Sequence, residues 1–147
     1  MSNWRETNRG VAHPWHCDHF GHMNVRFYGG FFDDAAFQIW TVLGYGFKRM
    51  EEDGFHTVIA RSTIEFVHEI KPGELFVIDT GFIECGRKSC THLQRMTNPD
   101  TGVLQAVQET VEVFFDVATR ASILIPDDIR PLIEGNMVSR DDTGRTR

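Results

Sequence analysis

Residues 24–44 read NVRFYGGFFDDAAFQIWTVLG, and the reading of this stretch decides the fold. Phe27, Phe31, Ala35, Ile39 and Leu43 recur at every fourth position, and Tyr28, Phe32, Ala36 and Trp40 form a second row beside them. Residues four apart share one face of a helix, so the spacing predicts one long helix with a broad apolar face, wider than a surface helix needs. Asn24 suits the N-cap, where its side-chain oxygen accepts from an unpaired N–H of the first turn. Gly44 and Gly46 stop the helix. Gly29-Gly30 is a local conflict, because each glycine costs roughly 1 kcal/mol relative to alanine inside a helix. Either the pair is an accident of sequence, or another backbone or a ligand approaches there.

Outward from the helix the chain reads as β. On its N-terminal side, Gly10 to His16 is a short strand, which Pro14 makes an edge or a bulge because it lacks a donor. Residues 17–24 follow as a loop. On its C-terminal side, Thr57 to Val67 is β-branched and alternating, and Leu75 to Ile83, Ser89 to Thr97 and Val103 to Val117 are further strands. Lys71-Pro72-Gly73, Gly86-Arg87-Lys88 and Asn98-Pro99-Asp100-Thr101-Gly102 are turn signals. Tight turns imply antiparallel neighbours. Pro126 to Leu132 reads as a last helical turn. The expected result is an α+β domain: one curved antiparallel sheet with one long helix laid on it. A single domain is expected over residues 1–134, with a polar, flexible tail over 135–147.

The chain has 147 residues, ordinary globular use of apolar and charged residues, and a net charge of −6. That length suits one domain. The acidic balance speaks against nucleic-acid binding, which runs on a basic surface. No stretch approaches the run of about 18 apolar residues that a membrane span needs. The N-terminus has no apolar core of a secretory signal. Three cysteines, Cys17, Cys85 and Cys90, form no C-x-x-C pair, and a reducing cytoplasm is the natural reading.

The chemistry-bearing residues concentrate just before the long helix, in Asp18-His19-Phe20-Gly21-His22-Met23-Asn24. This D-x-x-G-H-x-N pattern follows an aromatic-rich strand and precedes an R-x-Y helix start, Arg26-Phe27-Tyr28. In this it resembles the hotdog-fold acyl-CoA thioesterases of the 4-hydroxybenzoyl-CoA thioesterase type. The resemblance runs from about Gly10 to Leu132 and includes the Lys71-Pro72-Gly73 turn and the Gly86-Arg87-Lys88-Ser89 hairpin. It implies a five-stranded antiparallel sheet wrapped around one central helix. It also implies a homodimer or a dimer of dimers, with the acyl-CoA site at a protomer interface. The motif aspartate, here Asp18, would act as nucleophile or as general base on water. Backbone N–H groups around Met23, Asn24 and Val25 would hold the thioester oxygen. No cofactor is implied beyond the coenzyme A of the substrate.

Elementary electrostatics points the same way. A helix N-terminus carries unpaired donors and a partial positive charge, and such donors stabilise the oxyanion formed when a thioester carbonyl is attacked. Many relatives carry a second asparagine where this chain has Val25. That change keeps a backbone contact and removes a side-chain one. Arg87 and Lys88 are candidates for the phosphates of coenzyme A, although an exposed basic pair is as often plain surface.

Other readings of these residues are weaker. His13, His16, Cys17, His19 and His22 crowd together, but their spacing matches no standard zinc pattern, and no metal is expected. Cys17 next to His16 suggests a nucleophile and base, yet neighbours on a strand point to opposite faces. Asp33, Asp34, Glu65 and Arg61 read as solvated. A hotdog enoyl-thioester hydratase or dehydratase, and a non-catalytic acyl-CoA-binding module, remain as alternatives.

Overall fold

The computed structural model describes residues 2–144. Strand β1 (Arg5–Val11) leads through a 3-10 turn at Pro14–His16 to helix α1 (Val25–Val42). A short helix α2 (Phe47–Asp53) and strand β2 (Phe55–Phe66) follow, then β3 (Leu75–Cys85), β4 (Ser89–Thr97) and β5 (Leu104–Asp116). The two-residue β6 (Ala121–Ser122), helix α3 (Arg130–Glu134) and a 3-10 turn at Arg140–Thr143 complete the described chain. The main strands pair antiparallel in the order β1-β3-β4-β5-β2, and β6 adds to β5.

Helix α1 forms where the periodicity places it. Asn24 caps it through Arg26 N, 3.1 Å from Asn24 Oδ1. Tyr28, Phe32, Ala35, Ala36, Ile39 and Trp40 are buried against the sheet. Around the first half of the helix Tyr28 and Phe32 pack with Phe76, Ile78, Met96 and Ala106. Around the second half Ile39 and Trp40 pack with Phe82, Cys90 and Phe114. The odd-numbered valines of β5 belong to the other face, where Val107 joins Leu93, Leu104 and Trp4.

The connections differ from the expectation at one point. β2 lies at one edge of the sheet, with β5 and β4 between it and β3. The segment 67–74 is therefore a crossover, not a hairpin. It passes the start of α1, where Ile70 O accepts from Met23 N at 2.7 Å, and it ties to β1 through Ala12 N–Glu74 O at 2.8 Å and Gly73 N–Ala12 O at 2.7 Å. The Lys71-Pro72-Gly73 turn thus braces the loop before the helix.

Strand β1 starts at Arg5, earlier than Gly10, because Glu6, Asn8 and Arg9 make an amphipathic edge in which Thr7 points inward and is buried. Pro14 opens the 3-10 turn instead of belonging to the strand. Past residue 134, where the sequence reading placed a flexible tail, the chain stays on the sheet. Phe82 N donates to Asn136 O at 3.0 Å, Val138 N donates to Phe82 O at 2.7 Å, and Asn136 is buried. Val138 lies directly over Gly81, where a Cβ would meet it at 2.5 Å. Residues 145–147 of that tail lie outside the described residues.

Candidate active site

The loop between the 3-10 turn and α1 is closed by a bridge between Cys17 and Met23. Within it, Asp18 N donates to His22 O at 3.2 Å and Gly21 N to Asp18 O at 2.9 Å. Gly21 sits at φ +87°, in the left-handed region where a side chain is strained. This turn brings the Asp18 side chain back over the helix start. Oδ2 accepts from Asn24 Nδ2 at 2.8 Å and Oδ1 from Phe20 N at 2.9 Å. The Asn24 amide and the Phe20 N–H hold the Asp18 carboxyl below its ordinary value of 3.8, with smaller help from His19 and His22. Asp18 is therefore an ionised carboxylate at neutral pH, half-exposed and fixed in direction.

Three backbone donors were expected beside it, at Met23, Asn24 and Val25. Two are spent inside the chain: Met23 N donates to Ile70 O at 2.7 Å and Asn24 N to His16 O at 2.9 Å. The next two, Arg26 N and Phe27 N, donate to Asn24 Oδ1 and Asn24 O, both at 3.1 Å. That leaves Val25 N–H, at the first position of α1, with no acceptor among the described residues. It carries the helix dipole's positive end and opens to solvent.

Around this pair stands an aromatic and cationic rim. Trp15 is 70% exposed and stacks on His13 at 4.3 Å, and Phe20 is 72% exposed. Arg26 Nε donates to Asn24 Oδ1 at 3.0 Å, so the guanidinium lies beside the carboxylate's partner. His22 faces Glu69 at 3.2 Å. Cys17 and His16 do not form a nucleophile and base. Sγ of Cys17 turns to His13 O at 3.6 Å, burial raises its thiol, and His16 packs edge-on against Phe27 and Phe31. Among the described residues no three His, Cys, Asp or Glu side chains group as a metal ion would need.

Arg87 and Lys88 are not brought to Asp18. Both are exposed at the β3–β4 turn. The start of β3 pairs with Val11, near the loop, and its far end carries the turn. Eleven strand residues separate the two by roughly 33 Å.

Sequence reasoning also missed a row of polar side chains under the helix. Gln94, Gln108, Thr110, His92 and Glu112 are all buried. The alternation of β5 hid Gln108, Thr110 and Glu112, because its valines occupy the opposite parity. Gln94 Nε2 donates to Phe32 O of α1 at 3.0 Å, and Gln108 Nε2 donates to Gln94 Oε1 at 3.1 Å and Thr110 Oγ1 at 3.0 Å. Gly29, one turn beyond Val25, has no atom within 4 Å of where its Cβ would stand, so no backbone approaches it.

A sheet curled around one helix, with a carboxylate folded over the helix start, defines a hotdog protein of the thioesterase-like class. The chain belongs to the thioesterase-like superfamily, whose family model matches residues 12–133. No curated protein matches the sequence. Solved structures share the fold. A hypothetical protein from Staphylococcus aureus, solved in complex with CoA, is 18% identical, with a TM-score of 0.84 over 100% of this chain and 96% of that one. The YbaW probable thioesterase from Escherichia coli is 19% identical, with a TM-score of 0.78 over 91% of this chain and 100% of that one. A 1,4-dihydroxy-2-naphthoyl-CoA thioesterase from Synechocystis is 12% identical, with a TM-score of 0.74 over 86% and 93%. No described helix is long and apolar enough to cross a membrane.

Proposed function

We propose that the protein hydrolyses an acyl-CoA thioester to a carboxylate and free coenzyme A, without a metal or organic cofactor. The observation that carries the reading is an ionised Asp18, tied by Asn24 to the start of α1, where Val25 N–H has no acceptor among the described residues. The thioester carbonyl sits between them. Asp18 attacks its carbon directly, or takes the proton of the water that does. The carbonyl oxygen becomes an oxyanion and accepts from Val25 N–H. Collapse of the tetrahedral centre breaks the C–S bond, and the coenzyme leaves as thiolate. On the direct route water then hydrolyses the mixed anhydride and restores Asp18. The D-x-x-G-H-x-N motif supports the 4-hydroxybenzoyl-CoA thioesterase type within the family, and the CoA bound to the staphylococcal neighbour supports the coenzyme.

The working unit is a homodimer, alone or doubled into a tetramer. β2 is a twelve-residue edge strand whose residues 58–66 are exposed apart from Ile64. Val58, Ile59, Phe66 and Val67 leave apolar surface there, an edge that a second copy covers. Arg87 and Lys88 then reach the coenzyme's phosphates only from another subunit. The three free thiols fit a reducing cytoplasm.

Thiol release across a panel of acyl-CoAs tests the reading. Asp18→Asn keeps the shape and removes the carboxylate, so kcat falls at least about a hundredfold with the far-UV spectrum unchanged. Near-normal turnover by the variant overturns the role of Asp18. Hydration of an enoyl-CoA without thiol release replaces hydrolysis by the hydratase reading.

A further inference from the structure

Helix α1 carries one stripe that begins at the candidate oxyanion donor and continues beside a cavity. Val25, Gly29, Asp33 and Ala36 fall on one helix face, at spacings of four, four and three. Gly29 lies about 6 Å and Ala36 about 16 Å along the axis from Val25. The last three line a cavity of about 310 Å³ between α1, β2 and β5, whose other walls are Ile59, Ser62, Ile64, Gln108 and Thr110. Gly29 keeps its upper part open, since nothing lies within 4 Å of a Cβ built there. A helix accepts the roughly 1 kcal/mol cost of such a glycine where something else needs the space.

The walls are apolar at Ala36, Ile59 and Ile64, but the sheet side is polar, and the two glutamine amides there are fixed in direction. The carbonyl of Phe32 is an acceptor only, so it orients the Gln94 amide with Nε2 toward the helix. Gln94 then presents Oε1 to Gln108, whose Nε2 hydrogens go to Gln94 Oε1 and Thr110 Oγ1. The group Gln108 has left to offer is Oε1, an acceptor. Thr110 Oγ1 and Ser62 Oγ stand 3.4 Å apart, and when Thr110 donates across this contact the Ser62 hydroxyl proton is left for a ligand. An acceptor and a donor side by side complement a hydroxyl, which is both. Asp33, exposed at the rim, repels an anionic group.

We infer that this cavity receives the acyl group, and that Gly29, Ser62 and Gln108 select an uncharged acyl chain of middle length bearing a hydroxyl near its far end. The inference rests on the acyl-CoA hydrolase reading and adds the chemistry of the acyl group. The stripe supports it: the helix face that runs on from Val25 is left bare at Gly29 and leads into this cavity. The hydroxyl ends between Ser62 Oγ and Gln108 Oε1.

The test uses the full-length protein and thiol release from straight-chain acyl-CoAs, acetyl to dodecanoyl, each with its ω-hydroxy counterpart. For the wild type, kcat/KM peaks at a middle chain length, and there the hydroxylated substrate exceeds its parent by at least about tenfold. Gln108→Leu removes that preference while the chain-length optimum stays in place. Gly29→Leu fills the cavity mouth and lowers the octanoyl-to-acetyl ratio of kcat/KM at least about tenfold. Gly29→Ala is the folding control: its melting temperature holds or rises, and the ratio moves in the same direction by less. If the wild type turns over acyl-CoAs but Gly29→Leu, folded by far-UV circular dichroism, keeps the same chain-length profile, the cavity is not the acyl site and the hydrolase reading stands. If the profile responds but no hydroxyl preference exists, the assignment of Ser62 and Gln108 is overturned. If the wild type releases thiol from no member, the hydrolase reading fails and this inference fails with it.

Discussion

Asn24 holds Asp18 and caps helix α1 with the same amide. Its Nδ2 donates to Asp18 Oδ2 at 2.8 Å while its Oδ1 accepts from Arg26 N at 3.1 Å. The carboxylate's orientation is thus locked to the helix start, and the distance from Asp18 to the Val25 N–H cannot change without disturbing the cap. The motif's spacing of Asp18 to Asn24 has a mechanical reason: the five residues between them, with Gly21 in the left-handed region, return the carboxylate to the amide.

The two halves of that amide separate by mutation. Asn24→Ser keeps an N-cap oxygen and, being shorter, loses the Nδ2 that reaches Asp18, so it leaves the melting temperature close to wild type and lowers kcat. Asn24→Ala loses both, and destabilises by a further ~1 kcal/mol. Equal melting temperatures for the two variants would show that the cap contributes nothing.

The same bond sets the acid limb of the pH profile. Asp18 has its carboxyl held below 3.8, first by Asn24 and then by Phe20. A depressed folded value keeps the group ionised until the pH falls beneath it, so activity persists down to the pH at which the protein itself unfolds. Asn24→Ser removes the larger cause, and the acid limb of kcat/KM moves upward, toward the ordinary aspartate range. A limb that does not move would separate Asp18 from the titration.

Assembly is tested at β2. Sedimentation of the wild type at micromolar concentration gives a dimer or a tetramer. Val58→Lys, on the exposed edge strand, shifts it to monomer with the fold intact. In Arg87→Ala with Lys88→Ala, KM for acyl-CoA rises with kcat largely unchanged, and the effect disappears for an acyl-pantetheine. Because these residues stand at the far end of β3 from Asp18 within one chain, the effect also disappears in the Val58→Lys monomer. A KM increase that survives in the monomer would place the coenzyme within a single protomer.

How much of this was legible in the sequence depended on whether a residue's partner was near in the chain. Helix α1 was legible because its caps and its period lie within the segment itself. Asp18 and Asn24 were legible because they are six residues apart in one motif. The commitment of Met23 N–H was not, since its acceptor, Ile70 O, arrives through the crossover from the far edge of the sheet. Strand β1 was read too short because Arg5 to Arg9 are polar on their outer face. The inward Gln94, Gln108 and Glu112 were missed for the same reason: polarity is a guide to exposure only when burial brings no partners.

The deepest of these polar groups controls stability against pH. Glu112 and His92 are fully enclosed beneath α1, with Nε2 and Oε2 3.5 Å apart, and Thr57 Oγ1 donates to Glu112 Oε1 at 3.2 Å. Burial pushes the Glu112 carboxyl up to about 8 and the His92 imidazole down to about 4, so both are uncharged at neutral pH. For Glu112 the folded value is raised, and its contribution is full below 4.5 and lost as pH rises through 8. For His92 the folded value is lowered, and its contribution is full above 6.5 and lost as pH falls through 4. Between 4.5 and 6.5 the two slopes oppose and nearly cancel. Between 6.5 and 8 Glu112 acts alone, and the protein loses roughly 2 kcal/mol. Denaturant melts across this range will show the decline. In Glu112→Gln the amide keeps the shape without titrating, so stability is flat from 6.5 to 8 and falls only on the acid side, where His92 now acts unopposed. A wild type whose stability is flat from 6.5 to 8 would mean that the folded pair holds no extra proton, with Glu112 ionised beside a neutral His92.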